Sequence, residues 1–177
     1  MNNKYEIRGD VTAIKIVSRK YGTFETLIST SKLDLVSDYV DHWFIQFNNR
    51  NKSFYVSGKS KHDNYKKQVS IHRLIMGFPV RKIVDHINHD TLDNRDSNLR
   101  LVSNLQNQQN RKDATRNSSS GVRNVHWHKA YGKWEVQIKM NQKKITIGYF
   151  TDIKEAEKAA IEARRKFMPF SENDRAV

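Results

Sequence analysis

The segment from Lys82 to Asn110 constrains the fold more than any other part of the chain. It reads KIVDHINHDTLDNRDSNLRLVSNLQNQQN and contains neither glycine nor cysteine. The β-branched residues of its first part, KIVDHI, favour a strand. The part NHDTLDNRDSN is typical of turns, because Asn and Asp side chains hydrogen-bond the nearby backbone. A second strand is predicted over LRLVS. Ser103 and Gln106 then stand at capping-box spacing, which predicts a helix.

The resulting strand, loop, strand and helix unit brings chemically useful side chains together. Asp85 and His86 lie side by side on the first predicted strand, and Asn107 lies on the helix. Neighbouring residues on a strand point to opposite sides, so one can hold a metal while the other meets water. Hydrolysis of a phosphodiester needs a base for the water and a cation at the phosphate. Oxygen ligands such as Asp and Asn suit Mg²⁺.

The charge of the chain favours a polyanionic partner. Lys and Arg number 32 against 19 Asp and Glu, which gives a formal net charge of +13. This excess is shared by many nucleic-acid proteins and does not by itself imply catalysis. The absence of cysteine excludes disulfides and thiolate zinc sites. No apolar run is long enough for a transmembrane helix, and the N-terminus lacks a signal-peptide core, so a soluble cytoplasmic protein is expected.

The chain is predicted to hold two domains. Residues 1 to about 70 read as short strands, including two around a turn at Asn48–Asn51, and Val69–Gly77 reads as a short helix. The aromatic residues of this region are expected to form its core rather than a base-stacking platform; they are Trp43, Phe44, Phe47, Phe54 and Tyr55. Arg111–Gly121 has the composition of a linker. The predicted divisions are residues 1–110, a linker at 111–120, a second domain at 121–170 and a tail at 171–177.

The motifs VDHIN, LDN and SNLRLVSNLQN, with IHRLIMG upstream, resemble the HNH nucleases. The similar branch has Asn in the last motif position and occurs in phage and intron-encoded homing endonucleases. The resemblance implies an α+β fold with a ββα-metal nuclease domain behind an N-terminal β-rich region. It implies that Asp85 and Asn107 bind one divalent metal ion, Mg²⁺ with Mn²⁺ as an alternative. His86 would be the general base, and Asn98 would brace the loop and orient His86.

Three further residues of this region have less certain roles in the resemblance. Arg100 and His72 are candidates for contacts near the scissile phosphate, by position in the resemblance. His89 stands where such loops commonly have Gly, and is interpreted as a local substitution rather than an extra phosphate contact.

The motifs GVR, GKW and IGYF, followed by an Ala-rich helix, resemble the AP2 DNA-binding domain over Gly121 to Phe167. That family has a three-stranded antiparallel sheet backed by one helix. Alternation independently places Trp134, Val136 and Ile138 on one face of a strand, with polar residues on the other. The resemblance implies a DNA-binding face of Arg123, Gln137, Lys139, Lys144 and Thr146. The alternative is a small sheet with a solvated polar face.

Together with the resemblance, these features predict a site-specific, metal-dependent DNA endonuclease of the homing type. The resemblance implies products with 5′-phosphate and 3′-hydroxyl ends. It would act on double-stranded DNA as a monomer or a dimer. One metal centre per chain makes a nick in one strand the minimal event, and a cut through both strands needs a dimer or two successive events. The alternative is a catalytically inactive, sequence-specific DNA-binding regulator. An RNA-binding protein fits the charge but not the set of Asp85, His86, Asn98 and Asn107.

Overall fold

The contacts of the chain divide it into two compact units. The structure, a computed structural model, describes residues 1–62, 67–111, 113–115, 117–140, 143–171 and 174. Unit 1 is Met1–Asn104 and unit 2 is Leu105–Val177. The sequence placed this division after residue 110, whereas the contacts place it before Leu105. In the described ranges, no helix has both the length and the apolar character needed to cross a membrane.

Unit 1 consists mainly of short strands. Its strands are β1 (Tyr5–Arg8), β2 (Val11–Ser18), β3 (Gly22–Ser29), β4 (Val40–Asn48), β5 (Ser53–Ser60), β6 (Gln68–Ser70), β7 (Ile83–His86), β8 (Asp93–Asn94) and β9 (Leu99–Val102), with helices α1 (Leu33–Tyr39) and α2 (Ile71–Ile75). The sheets have the orders β1-β2-β3-β8, β4-β5-β6 and β7-β9. Neighbouring strands are antiparallel except β3 and β8, which pair in parallel.

One hydrophobic core joins these sheets. Ile14 and Trp43 are fully buried in it, and so are residues of β3, β5 and α2. Gly58 allows β4 and β5 to approach closely, because a Cβ there would lie 2.4 Å from Cγ1 of Val40. Val84 of β7 and Leu99 of β9 belong to the same core. The hairpin that bears Asp85 and His86 is therefore fixed to the N-terminal sheets by buried apolar contacts.

Several elements of unit 1 differ from the sequence prediction. The first strand region is broken by a turn at Gly9, which has a φ of 62°, and so forms two strands, β1 and β2. The predicted helix over Val69–Gly77 starts only at Ile71, because Val69 pairs with Gly58 as part of a sheet. Helix α1 was not predicted. Of the five aromatic residues expected in the core, Trp43 is fully buried and the other four are partly buried.

Unit 2 contains a small sheet backed by a helix. Its elements are α3 (Asn104–Gln109), which begins at the last residue of unit 1, then β10 (Val125–His128), β11 (Lys133–Met140), β12 (Lys143–Phe150) and α4 (Ile153–Phe167). The strands form an antiparallel sheet in the order β10-β11-β12. The small residues Ala156 and Ala160 of α4 pack on Val125 and Val136 of the sheet. The predicted three strands and one helix are thus present.

Local signals explain how α4 starts and where the sheet is irregular. The Asp152 side chain accepts hydrogen bonds from the N–H groups of Lys154 and Glu155, at 2.6 and 3.1 Å, so Asp152 caps the helix. The pairing of β11 with β12 shifts between Val136 and Gln137. This bulge leaves Ile147 exposed, although simple alternation along β12 would place it on the same face as Ile145.

Candidate active site and DNA-facing surface

The β7–β9 hairpin presents Asp85 and His86 on opposite sides. Val84 and His86 are buried, whereas Asp85 lies on the other side, as alternation along a strand requires. Asp85 stands directly across from Arg100, whose Nε donates a 2.9 Å hydrogen bond to Oδ2 of Asp85. Both side chains are less than one fifth exposed. The ion pair therefore holds the Asp85 carboxylate in a defined orientation at the edge of the site.

The His86 ring is held by a residue from the loop. Nε2 of His86 lies 3.1 Å from Oδ1 of Asn94, and His86 is only 5% exposed. Burial lowers the pKa of His86 below its ordinary value, although the hydrogen bond to Asn94 opposes the shift. His86 is therefore neutral near pH 7, the state that a general base requires. The sequence placed Asn94 in the turn and missed this contact.

Two more rings surround His86. The His72 ring on α2 lies 5.3 Å from it, and the Tyr55 ring on β5 lies 6.2 Å from it, both measured between centroids. Burial lowers the pKa of His72 to about 3, and the neighbouring His86 contributes to the shift. Nδ1 of His72 is buried without a hydrogen-bond partner among the described residues. The structure thus brings His72 to the site and adds Tyr55, which the sequence assigned to the core.

Asn98 ties together the two ends of the loop between β7 and β9. Its Oδ1 accepts a 2.9 Å hydrogen bond from the N–H of Asn88, and its Nδ2 donates a 2.8 Å bond to the carbonyl of Asp93. Its own carbonyl accepts from the N–H of Ile87 at 2.9 Å. Asn98 is 5% exposed, so these bonds form away from competing water. Asn98 braces the loop, whereas Nε2 of His86 is hydrogen-bonded to Oδ1 of Asn94.

The loop turns sharply at His89. This residue has a φ of 65°, in the left-handed region that is uncommon for any residue with a side chain. Its N–H donates a 3.1 Å hydrogen bond to the carbonyl of His86, which closes the turn. A glycine would adopt this conformation without steric cost. The left-handed backbone of His89 thus closes the turn, and this conformation explains why glycine suits the position.

The residues around Asp85 fit a divalent metal only in part. Among the described residues, no group of three His, Asp or Glu side chains is arranged to hold a metal ion. Mg²⁺ keeps several waters and takes one or two carboxylates from a protein, so the Asp85 carboxylate is a suitable ligand chemically. Asn107, the other expected ligand, lies on α3 in unit 2. Its approach to Asp85 remains a prediction.

The outward face of the unit 2 sheet holds four of the five residues expected to bind DNA. Gln137 lies opposite Thr146, and Lys139 lies opposite Lys144, on adjacent strands. Lys139 and Lys144 are exposed. Like charges directly opposite each other are unfavourable, and an anion between them would remove that cost. These four residues are placed together as a polar, basic surface.

A carboxylate that the sequence placed on the polar face, without a role in DNA binding, lies within this surface. Oε1 of Glu135 accepts hydrogen bonds from Thr146 at 2.7 Å and from Gln137 at 3.3 Å. Glu135 therefore orients both side chains. Its alternation with Val136 was visible in the sequence, but the bulge that sets its partners was not.

Arg123, the fifth residue, makes different contacts. Its guanidinium donates to the backbone carbonyls of Gln109 and Arg111, at 2.7 and 2.5 Å, and to the Ser171 hydroxyl at 3.1 Å. Burial lowers its pKa to about 10. These contacts tie together segments of unit 2, and a contact of Arg123 with DNA stays a prediction. On the same sheet, the ring of Trp127 packs against that of Trp134, with 4.9 Å between the ring centroids.

The β7–β9 hairpin thus carries a buried neutral histidine, a neighbouring carboxylate and a braced polar loop, a set that can serve the hydrolysis of a phosphodiester. Residues 65–109 match the family model that is described as HNH endonuclease. The chain therefore carries an HNH endonuclease domain, and this family implies a nuclease, a hydrolase that acts on DNA. HNH nucleases generally use a divalent metal ion. No curated protein and no solved structure matches the chain.

Proposed function

We propose that the protein is a site-specific, divalent-metal-dependent DNA endonuclease of the homing type. The observation that supports it best is the pairing of a buried, neutral His86 with Asp85 on one strand, inside the region that matches the HNH endonuclease model. The positive charge of the chain and the lysines of the unit 2 sheet suit a DNA substrate. Tethering such a surface to a nuclease raises the effective concentration of DNA at the site.

The chemistry assigned to the chain begins with proton transfer. His86 accepts a proton from the attacking water, and burial, which lowers its pKa, keeps the ring unprotonated and able to do so. Asp85, held by Arg100, and Asn107 are the proposed metal ligands. When bound, the metal, Mg²⁺ or Mn²⁺, supplies positive charge that stabilises the leaving oxygen. Asn98 keeps the loop in shape around His86. The proposed products carry 5′-phosphate and 3′-hydroxyl ends.

The test is cleavage of plasmid and random-library DNA by the full chain with Mg²⁺ or Mn²⁺. We expect His86→Ala to slow cutting by about 10²- to 10⁴-fold, the usual contribution of a general base. His42→Ala is the matched control, because His42 is an exposed histidine on β4 of the same unit. A His86→Ala protein that cuts as fast as the unaltered chain would contradict the assignment of His86 as the general base.

The same assay separates the alternative function. A catalytically inactive DNA-binding regulator would retard a specific DNA fragment but cut no sequence with either metal. Strand-resolved sequencing of the cleaved library also identifies the target and separates a nick from a double-strand cut. Sedimentation of the protein on its target DNA then distinguishes a monomer from a dimer.

A further inference from the structure

A chain of buried hydrogen bonds leads from the N-terminal sheet to His86. The Thr26 hydroxyl, on β3, donates a 2.7 Å hydrogen bond to the carbonyl of Leu92. A hydroxyl has a single hydrogen, so Oγ1 of Thr26 acts as the acceptor toward Nδ2 of Asn94, 2.9 Å away. Nδ2 of Asn94 also points to the carbonyl of Leu92 at 3.3 Å. Both partners of the amide nitrogen are therefore acceptors.

This arrangement sets the direction of the Asn94 amide. Because its NH₂ group is directed at Thr26 and Leu92, its carbonyl oxygen is the atom that faces Nε2 of His86, at 3.1 Å. A carbonyl oxygen can only accept, so Nε2 must carry a hydrogen. A neutral imidazole carries one ring hydrogen, so Nδ1 is then the unprotonated, basic nitrogen.

The surroundings shield this chain of hydrogen bonds from water. Thr26 and Asn94 are both fully buried. The parallel pairing of β3 with β8 sets Ile28 opposite Asn94. The backbone thereby fixes the distance between the side chains of Thr26 and Asn94. Hydrogen bonds in such a setting hold a single geometry, because water does not compete for them.

We propose that Asn94 and Thr26 are positioning residues that fix the tautomer of His86, keeping the proton on Nε2 and the basic lone pair on Nδ1. The N-terminal β-rich region thereby becomes part of the nuclease site. The inference rests on the proposed role of His86 in cutting DNA, but the tautomer itself can be measured without DNA or metal.

The experiment is ¹⁵N NMR of the histidine rings in the full chain, with the His86 signals identified by their loss in His86→Gln. In the unaltered protein we expect the Nε2–H tautomer, with a ring proton that exchanges slowly with water. Thr26→Val removes the acceptor of the Asn94 amide with little change in volume, and Asn94→Ala removes the amide. Both should speed exchange of the Nε2 proton, and Thr26→Ser, which keeps the hydroxyl, should not.

The same variants are compared in the cleavage assay. We expect Thr26→Val and Asn94→Ala to lower kcat by about 10- to 100-fold, a usual effect of removing a residue that orients a functional side chain. Thr26→Ser should keep a kcat close to that of the unaltered protein. An Nδ1–H tautomer in the unaltered protein would overturn the proposal. So would unchanged proton exchange in Thr26→Val and Asn94→Ala. A protein that has the expected tautomer but never cuts DNA would instead contradict the proposed function. It would not contradict the positioning of His86 by Asn94 and Thr26.

Discussion

At the scale of single residues, the site depends on conformations that each side chain adopts for a local reason. His86 is neutral because it is buried, and Asp85 is oriented because Arg100 holds it. The side chain of Asn98 hydrogen-bonds the backbone on both sides of a loop that has little strand pairing of its own. His89 occupies a left-handed backbone conformation that closes the turn after His86.

The conformation of His89 gives a prediction for this turn. His89→Gly should change the free energy of unfolding by less than about 1 kcal/mol, because relief of the left-handed strain offsets the greater chain entropy of glycine. His89→Val should destabilise the turn by about 1–3 kcal/mol, because a β-branched residue is poorly accommodated at positive φ. Amide hydrogen exchange of the β7 and β9 strands measures both effects in the full chain. Equal protection in the two variants would contradict this account of the turn.

His89→Gly also tests the interpretation of the side chain. If His89 serves only the turn, this variant should cut DNA at a rate close to that of the unaltered protein. A large loss of cutting with unchanged hydrogen exchange would instead assign His89 a contact with the phosphate.

At the scale of elements, the unit 2 sheet combines a buried face with a polar, basic face. Lys139 and Lys144 lie opposite each other on β11 and β12, and Glu135 orients Gln137 and Thr146 beside them. The exposed Lys154 and Lys158 lie on α4, the element that packs against the apolar face of the sheet. The unit therefore offers two lysine pairs of equal charge on different elements.

This contrast gives a prediction for DNA affinity. The double variant Lys139→Ala/Lys144→Ala should bind duplex DNA more weakly and reduce the slope of log affinity against log salt by about 1–2, because up to two phosphate contacts are lost. The control Lys154→Ala/Lys158→Ala removes the same charge and should leave the slope nearly unchanged. Fluorescence anisotropy at several salt concentrations measures both. Equal losses in the two double variants would show that net charge, and not the sheet face, attracts DNA.

At the scale of the whole molecule, the proposed base and the proposed DNA-facing lysines belong to different compact units. Cutting and binding should therefore respond separately to substitution. His86→Ala should leave the dissociation constant for duplex DNA within about twofold, because affinity depends mainly on phosphate contacts. Lys139→Ala/Lys144→Ala should retain kcat once DNA is saturating. Parallel binding and single-turnover cleavage measurements test this, and a large loss of affinity in His86→Ala would contradict it.

Metal removal gives a second test at this scale. A chelator should stop cutting, because the proposed charge stabilisation at the leaving oxygen requires the metal. DNA binding by the lysine face should persist, since its contacts need no metal. Loss of both activities on chelation would indicate that the metal supports DNA binding as well as chemistry.

The sequence by itself determined the elements whose signals are local. The β-branched residues and turn residues around His86 predicted the two strands of the nuclease hairpin, and the alternation around Trp134 predicted the buried face of β11. The Ala-rich stripe predicted the packed face of α4. Periodicity and capping act over a few residues, so they can be detected without a fold.

Only the tertiary structure decided the contacts between distant segments. Thr26 and Asn94 are separated by 68 residues, and no local pattern indicates that β3 would pair with β8 and bring them together. The position of Tyr55 beside His86 likewise depends on packing around a shared core. Such contacts follow from burial of apolar surface across the whole unit, which is non-directional and therefore leaves no motif in the sequence.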